Sequence, residues 1–314
     1  GLAKLWNAKT HACIRTIACG FGLTCAFGPG DRHALIGTKS GSLQVIDLAS
    51  GDLVEDHEAA HDGAVFSVAV RPDGRGMVSG GADKTAKFWD FDLKAAGPGG
   101  AKTLTLVHTR TLKMADDVLC LRYSHHTDAA KLLLAVSLLD CSIKVFFDDS
   151  LKFFLSLYGH KLPVMSMSIS SDNSILASGS ADKNIKLWGL DFGDCHRSLF
   201  AHDDSVVGVA FVPRTHMLFS ASKDRSVKYW DGDRFEQILT LPGHKSEVWC
   251  LAVSPDGSTL YTGSSDRSIR VWSKTDDIVF LDEEKERRLE DTLEADAAEV
   301  CVCGGGGGGG GVAS

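Results

Sequence analysis

The chain has 314 residues, 44% of them hydrophobic, and a formal net charge of −8. That is enough chain to bury a large core. No apolar run approaches the ~18 residues of a membrane-spanning helix, the longest being broken at Ser137 within Leu132 to Leu139. Nine cysteines, an odd number with no paired Cys-x-x-Cys framework, read as small buried hydrophobes of a reducing compartment. Cys301-x-Cys303 is too isolated to make a metal site. Gly1 is followed by no charged-then-apolar leader, so the expectation is a soluble, intracellular chain continuing a longer one.

The segment Ala3 to Asn7 reads as the end of a structural unit, with Trp6 at its key position, and His11 to Cys19 as the outer strand of that unit. Alternating apolar runs follow at His33 to Gly37 and Leu43 to Asp47. Gly37-Thr-Lys-Ser40 lacks the preceding glycine and following helix of a phosphate loop, and reads as a strand-to-strand turn. The next unit introduces a signature: His61, then Ser79 at +18, Asp83 at +22 and Trp89 at +28. Pro72-Asp73-Gly74 and Pro255-Asp256-Gly257 mark tight turns between strands.

From Trp89 to Phe146 the spacing lengthens by 15 residues over the later repeat. About 11 of these fall between Phe91 and Arg110, around the Gly-rich run Ala95 to Ala101, and predict a flexible surface loop. About four more fall in a turn at His125-His126-Thr127-Asp128. Adjacent histidines in a turn rarely face one ion, so a solvated turn is expected there. This unit keeps Asp140 but has Met114, Val136 and Phe146 at the other signature positions.

The signature then runs three times with a 42-residue period: His160, Ser178, Asp182, Trp188; His202, Ser220, Asp224, Trp230; His244, Thr262, Asp266, Trp272. A period of 40–45 with Gly-His and Trp-Asp-like marks is one four-stranded propeller blade per repeat. The chain is therefore identified as a WD-repeat β-propeller. Counting Trp positions (Trp6, Ile46, Trp89, Phe146, Trp188, Trp230, Trp272) predicts seven blades over residues 1–281. The first is incomplete because its two inner strands are missing. In the Ile46 blade the signature is replaced by Ala18, Ile36 and Ser40. The repeated His, Ser/Thr, Asp and Trp are expected to be structural hydrogen-bond pins, since a buried indole N–H needs an acceptor. A catalytic pair would have no reason to recur in every blade.

After Trp272 an outer strand is expected at Ile278 to Leu281, then an acidic helical exit over residues 282–300 and a disordered tail over 301–314 with polyglycine from Gly304 to Gly311. Residues 276–299 hold 11 acidic and three basic side chains, leaving the propeller electrically balanced, which argues against bulk attraction to nucleic acid. The residue after each pinning aspartate is basic: Lys84, Lys183, Arg225 and Arg267. These form a candidate partner-contact rim for RNA phosphates or an acidic protein. No catalytic set, cofactor motif or metal site is legible.

Several runs are not general repeat consensus: Leu151 to Val164, Leu190 to Val206, Lys223 to Leu241, Arg110 to Met114 and Phe280 to Arg287. They resemble the WD repeat-containing protein 3, or U3 small nucleolar RNA-associated protein 12, family from about Leu5 to about Glu290. The resemblance implies the second of two tandem propellers in a nucleolar, nuclear protein. It also implies a scaffold of the small-subunit processome, working beside other WD-repeat subunits and the U3 small nucleolar ribonucleoprotein in ribosomal RNA processing. A direct RNA-binding propeller, and a protein-interaction platform of another nuclear complex, remain the alternative readings.

Overall fold

A computed structural model describes residues 1–95, 102–126 and 128–275. The chain divides into two units, Gly1–Trp272 and Ser273–Ser314, and the first holds the strands described below. The expected strand at Ile278 to Leu281, the helical exit, the tail and Cys301-x-Cys303 lie outside the described residues.

Strand follows strand with short turns. The innermost strands are β3 (Gly22–Phe27), β7 (Val65–Val70), β11 (Val118–Tyr123), β15 (Val164–Ile169), β19 (Val206–Phe211) and β23 (Val248–Val253). Each runs outward through antiparallel partners. These are β4 (His33–Thr38), β5 (Leu43–Asp47) and β6 (Leu53–His57) in the Ile46 blade, and β8 (Gly76–Gly81), β9 (Thr85–Ala95) and β10 (Lys102–Lys113) in the Trp89 blade. The Phe146 blade has β12 (Leu133–Leu138), β13 (Ile143–Phe147) and β14 (Phe153–Leu157), and the Trp188 blade β16 (Ile175–Ser180), β17 (Asn184–Gly189) and β18 (Cys195–Phe200). The Trp230 blade has β20 (Met217–Ser222), β21 (Val227–Asp231) and β22 (Glu236–Leu241); the Trp272 blade has β24 (Thr259–Ser264) and β25 (Ile269–Ser273). Consecutive innermost strands neighbour one another from β3 to β23. Serines stitch them together: the Leu121 N–H donates to Ser67 Oγ at 3.0 Å and the Val209 N–H to Ser166 Oγ at 3.1 Å.

Among the described residues there are six blades, not the predicted seven. The remaining strands, β1 (Leu2–Trp6) and β2 (Cys13–Ala18), form a two-stranded ladder. Trp6 takes the third-strand position of a repeat, and the β1 end lines the space beside β3 and β23. A two-stranded hairpin is marginal by itself, and it is held through Ile17, packed with Ile36 and Ile46. Between β1, β3 and β23–β24 lies a cleft of about 780 Å³ lined by Leu23, Cys25, Cys250 and Leu251 among others.

The core lies between adjacent sheets. Val65, Val118, Val164, Val206 and Val248 are fully buried, each opening an innermost strand. Burial at about 25 cal/mol per Å² makes such inter-blade layers the dominant stabilising contribution. The cysteines depart from expectation: Cys120 is buried, but Cys13, Cys25, Cys195 and Cys250 are exposed. They sit on edge or cleft-facing strands, where no neighbouring sheet covers them.

The lengthened segment is also corrected. Phe91 to Ala95 and Lys102 to Leu106 are paired, Ala95 opposite Lys102, so β9 and β10 extend as a hairpin. Only the tip at 96–101 lies outside the described residues. Leu104 and Leu106 are 3% and 4% exposed and pack with Leu35, Val45 and Trp89. The Leu106 N–H donates to Glu55 Oε2 of β6 at 2.8 Å. Burial of two leucines and a charge-assisted bond outweigh the disordering tendency of the tip. At the hairpin's base Arg110 reaches the carbonyl oxygen of Asp148 (2.6 Å), and the buried Asp148 carboxylate accepts from Tyr123 Oη (3.0 Å).

Candidate functional site

The repeated side chains meet inside each blade. In the Trp188 blade the Trp188 Nε1–H donates to Ser178 Oγ (2.8 Å), Ser178 Oγ lies 2.8 Å from His160 Nε2, and His160 Nδ1 lies 2.9 Å from Asp182 Oδ2. A carboxylate only accepts, so Nδ1 carries the proton and Nε2 accepts from the serine hydroxyl. The relay therefore runs from indole to hydroxyl to imidazole to carboxylate, each group donating onward.

The Trp89 blade repeats it: Trp89 to Ser79 2.8 Å, Ser79 to His61 2.7 Å, His61 to Asp83 2.9 Å. So does the Trp230 blade, with Trp230 to Ser220 2.8 Å, Ser220 to His202 2.8 Å and His202 to Asp224 2.8 Å. In the Trp272 blade it is longer at both ends: Trp272 to Thr262 3.0 Å, Thr262 to His244 2.8 Å, His244 to Asp266 3.3 Å. The carboxylates also take the backbone N–H of the residue after each histidine, for example Lys161 at 3.0 Å.

Burial lowers the pKa of His61, His160 and His202, against the raising effect of their aspartates. They are neutral imidazoles, as the relay requires. Burial pushes Asp83, Asp182 and Asp224 upward, but their several hydrogen bonds outweigh it and hold them below the usual carboxylate range. Asp266, held first by Ser268, is likewise low.

Two blades solve the same space without polar groups. In the Phe146 blade Met114, Val136 and Phe146 pack in one apolar cluster, and Asp140 turns to Ser142 (Oγ, 2.6 Å). In the Ile46 blade Ile36 and Ile46 pack with Ile17. Removing donor and acceptor together leaves nothing unsatisfied.

Some participants were not anticipated. Thr85, Ser226 and Ser268 hydrogen-bond the aspartate two residues earlier at 2.5–2.7 Å. Lys87 and Lys228 reach the carbonyl oxygen of the residue before the histidine at 2.6 Å. The signals were present, as Ser/Thr at Asp+2 and Lys at Trp−2.

Lys84, Lys183, Arg225 and Arg267 occupy equivalent turns after the pinning aspartates, all in the left-handed region, with φ of 59°, 72°, 73° and 66°. The matching position of the Ile46 blade is Gly41 (φ 91°) and that of the Phe146 blade Cys141 (φ 69°). Lys84 is paired with Asp116 at 3.3 Å. Among the described residues no three His, Cys, Asp or Glu gather as metal ligands; His125 instead meets the Ile169 carbonyl (3.2 Å).

Antiparallel sheets set around innermost strands, four-stranded except for the three described strands of the Trp272 blade and each locked by a Trp–Ser/Thr–His–Asp relay or its apolar replacement, define a WD-repeat β-propeller. The model for the WDR3 second β-propeller domain matches residues 1–279, and the chain belongs to that family. It is 56% identical over 161 residues to WD repeat-containing protein 3 of Mus musculus, covering 51% of this chain and 17% of that protein. It is 53% identical over 172 residues to U3 small nucleolar RNA-associated protein 12 of Saccharomyces cerevisiae, covering 53% and 18%. To human WD repeat-containing protein 36 it is 29% identical over 171 residues, covering 52% and 17%. The chain thus spans less than a fifth of the length of these relatives. Membership places it among WD-repeat β-propellers.

Proposed function

We propose that the chain is the second propeller of a non-catalytic scaffold in ribosome biogenesis. In this reading it acts in the nucleolus within the small-subunit processome and beside the U3 small nucleolar ribonucleoprotein. Its partners are other WD-repeat subunits, and its contact with RNA runs through them. The observation that carries the reading is the 53% identity to a protein named for association with U3 small nucleolar RNA, together with the family match over residues 1–279. The relay residues are structural pins here, and Lys84, Lys183, Arg225 and Arg267 form a partner-contact rim.

The test is affinity purification of the full-length parent with and without this propeller, scoring proteins by mass spectrometry and U3 RNA by hybridisation. Loss of specific processome subunits, with RNA leaving only alongside them, supports the scaffold. The basic turns favour one second reading, direct RNA contact. Retention of U3 or precursor ribosomal RNA by the isolated propeller, after partners are stripped by salt, would put that reading first. Charge reversal of Arg225 and Arg267 that leaves pre-ribosome association intact would remove the rim from either reading.

A further inference from the structure

In the extended hairpin the cross-strand pairs Leu93–Leu104 and Phe91–Leu106 share one face. Leu104 and Leu106 press that face onto the Ile46 blade and are covered. On the β9 side the same face is left open, Leu93 being 57% exposed and Phe91 half-buried. A single exposed leucine needs no explanation. This one continues an apolar face whose other half is core, and it borders a concavity. That concavity, of about 1010 Å³, has Phe91, Leu93 and Leu104 on one wall and two neighbouring turns on the other. Pro29 to His33 leads from β3 into β4, and Arg71 to Arg75 from β7 into β8. Antiparallel neighbours reverse direction, so these turns lie at the strand ends opposite those that carry the relay aspartates.

The turns bring Arg32, Arg71 and Arg75 to the cavity against Asp73 and Asp90. Arg32 gives Nε and Nη2 to Asp47 (3.2 and 2.9 Å), yet its side chain stays 55% exposed. Arg71 gives Nη2 to Asp73 (3.2 Å) and Asp148 (3.5 Å). Asp73 is further occupied by the Arg75 backbone N–H at 3.0 Å. Asp90 alternates to the face of β9 opposite Phe91 and Leu93. The exposed Arg75 guanidinium has no ion pair or hydrogen bond among the described residues. Gly30 and Gly74 take left-handed backbone in the two turns (φ 72° and 67°), and at Gly30 a Cβ would meet nothing within 4 Å, so the space there is open. The cavity thus offers an unclaimed cation and an uncovered apolar wall together.

We propose that the cavity beneath the hairpin docks an extended segment of a partner protein that carries a carboxylate beside a large apolar side chain. The carboxylate meets Arg75 and the exposed side of Arg32, and the apolar side chain covers Leu93 and Phe91. The lengthening of this blade, long for a connection in a compact repeat, is on this view the device that builds the pocket. The inference does not depend on a role in ribosome assembly.

The test is fluorescence anisotropy of the full chain with a short labelled peptide of alternating Glu and Leu. Leu93→Glu and, separately, Arg75→Glu are expected to weaken binding about tenfold or more, with thermal midpoints unchanged because both side chains are exposed. Should Leu93→Glu lower the midpoint, Leu93→Ala takes its place and must still weaken binding. Arg225→Glu, in a turn at the opposite strand ends, leaves binding unchanged. A peptide of alternating Lys and Leu binds the unaltered chain more weakly, and Arg75→Glu narrows or reverses that preference. Rising salt weakens the acidic complex. The proposal is overturned if the acidic peptide does not bind, if the Lys and Leu peptide binds as tightly, or if Arg225→Glu costs as much as Leu93→Glu. Binding of a poly-uridine oligonucleotide in the peptide's place, lost on the same substitutions, would make this a nucleic-acid site and overturn it too.

Discussion

Ser178→Ala removes one oxygen at the centre of the Trp188 relay. Ser178 is fully buried and its Oγ serves two neighbours, accepting from Trp188 Nε1 and donating to His160 Nε2, both at 2.8 Å. Without it a buried donor and a buried acceptor lose their partners together. Each such loss costs about 1–3 kcal/mol, so the variant should lose about 2–6 kcal/mol. A domain stable by about 5–15 kcal/mol would feel this strongly. The Phe146 blade supplies the control, because Met114, Val136 and Phe146 fill the corresponding column without polar groups. The triple variant His160→Met, Ser178→Val, Trp188→Phe leaves no orphaned group and should recover at least half of the loss. Urea unfolding followed by far-ultraviolet circular dichroism reads both. A cost below about 0.5 kcal/mol for Ser178→Ala, or a triple variant no more stable than the single one, would refute the reasoning.

Acid should destabilise the propeller in two stages. His61, His160 and His202 are held below 6.5 in the folded state. As pH falls through 6.5 the unfolded chain takes up protons first, and stability declines. The low carboxylates extend the decline below pH 3.8. His216, bridging Asp233 and Asp172 and therefore raised, acts oppositely, its contribution being lost as pH rises through its raised value. Urea midpoints that stay flat between pH 7 and pH 5 would contradict the neutral-imidazole assignment. In the extended hairpin, Leu106→Ala should cost about 2–5 kcal/mol and Leu93→Ala, at a residue 57% exposed, less than about 0.5 kcal/mol; equal costs would mean the hairpin is not packed as described.

The relay was legible because its chemistry is exacting. A buried indole N–H needs an acceptor, so residue types and spacing persist wherever the network does. The apolar columns of the Ile46 and Phe146 blades were visible only as gaps in that pattern, since many residues fill a hydrophobic space equally well. Blade number was misjudged for a related reason. Trp6 marks a third strand, and the incomplete first blade expected from it is only the two-stranded β1–β2 ladder, which does not make a seventh blade. The hairpin was hidden by its tip: the glycines of 95–101 spoke for disorder more loudly than the alternation of Leu104 and Leu106 spoke for a strand.

The clasp between Leu106 and Glu55 also bears on how the protein is made. Each relay closes over 18 and 22 residues of chain, so a blade can lock soon after its own strands have left the ribosome. The clasp spans 51 residues. At about 5–20 residues per second, the Ile46 blade waits several seconds longer, its outer strand uncovered, for a latch that belongs to its neighbour. During synthesis that blade, which has no relay of its own, is the one whose open edge a chaperone would meet.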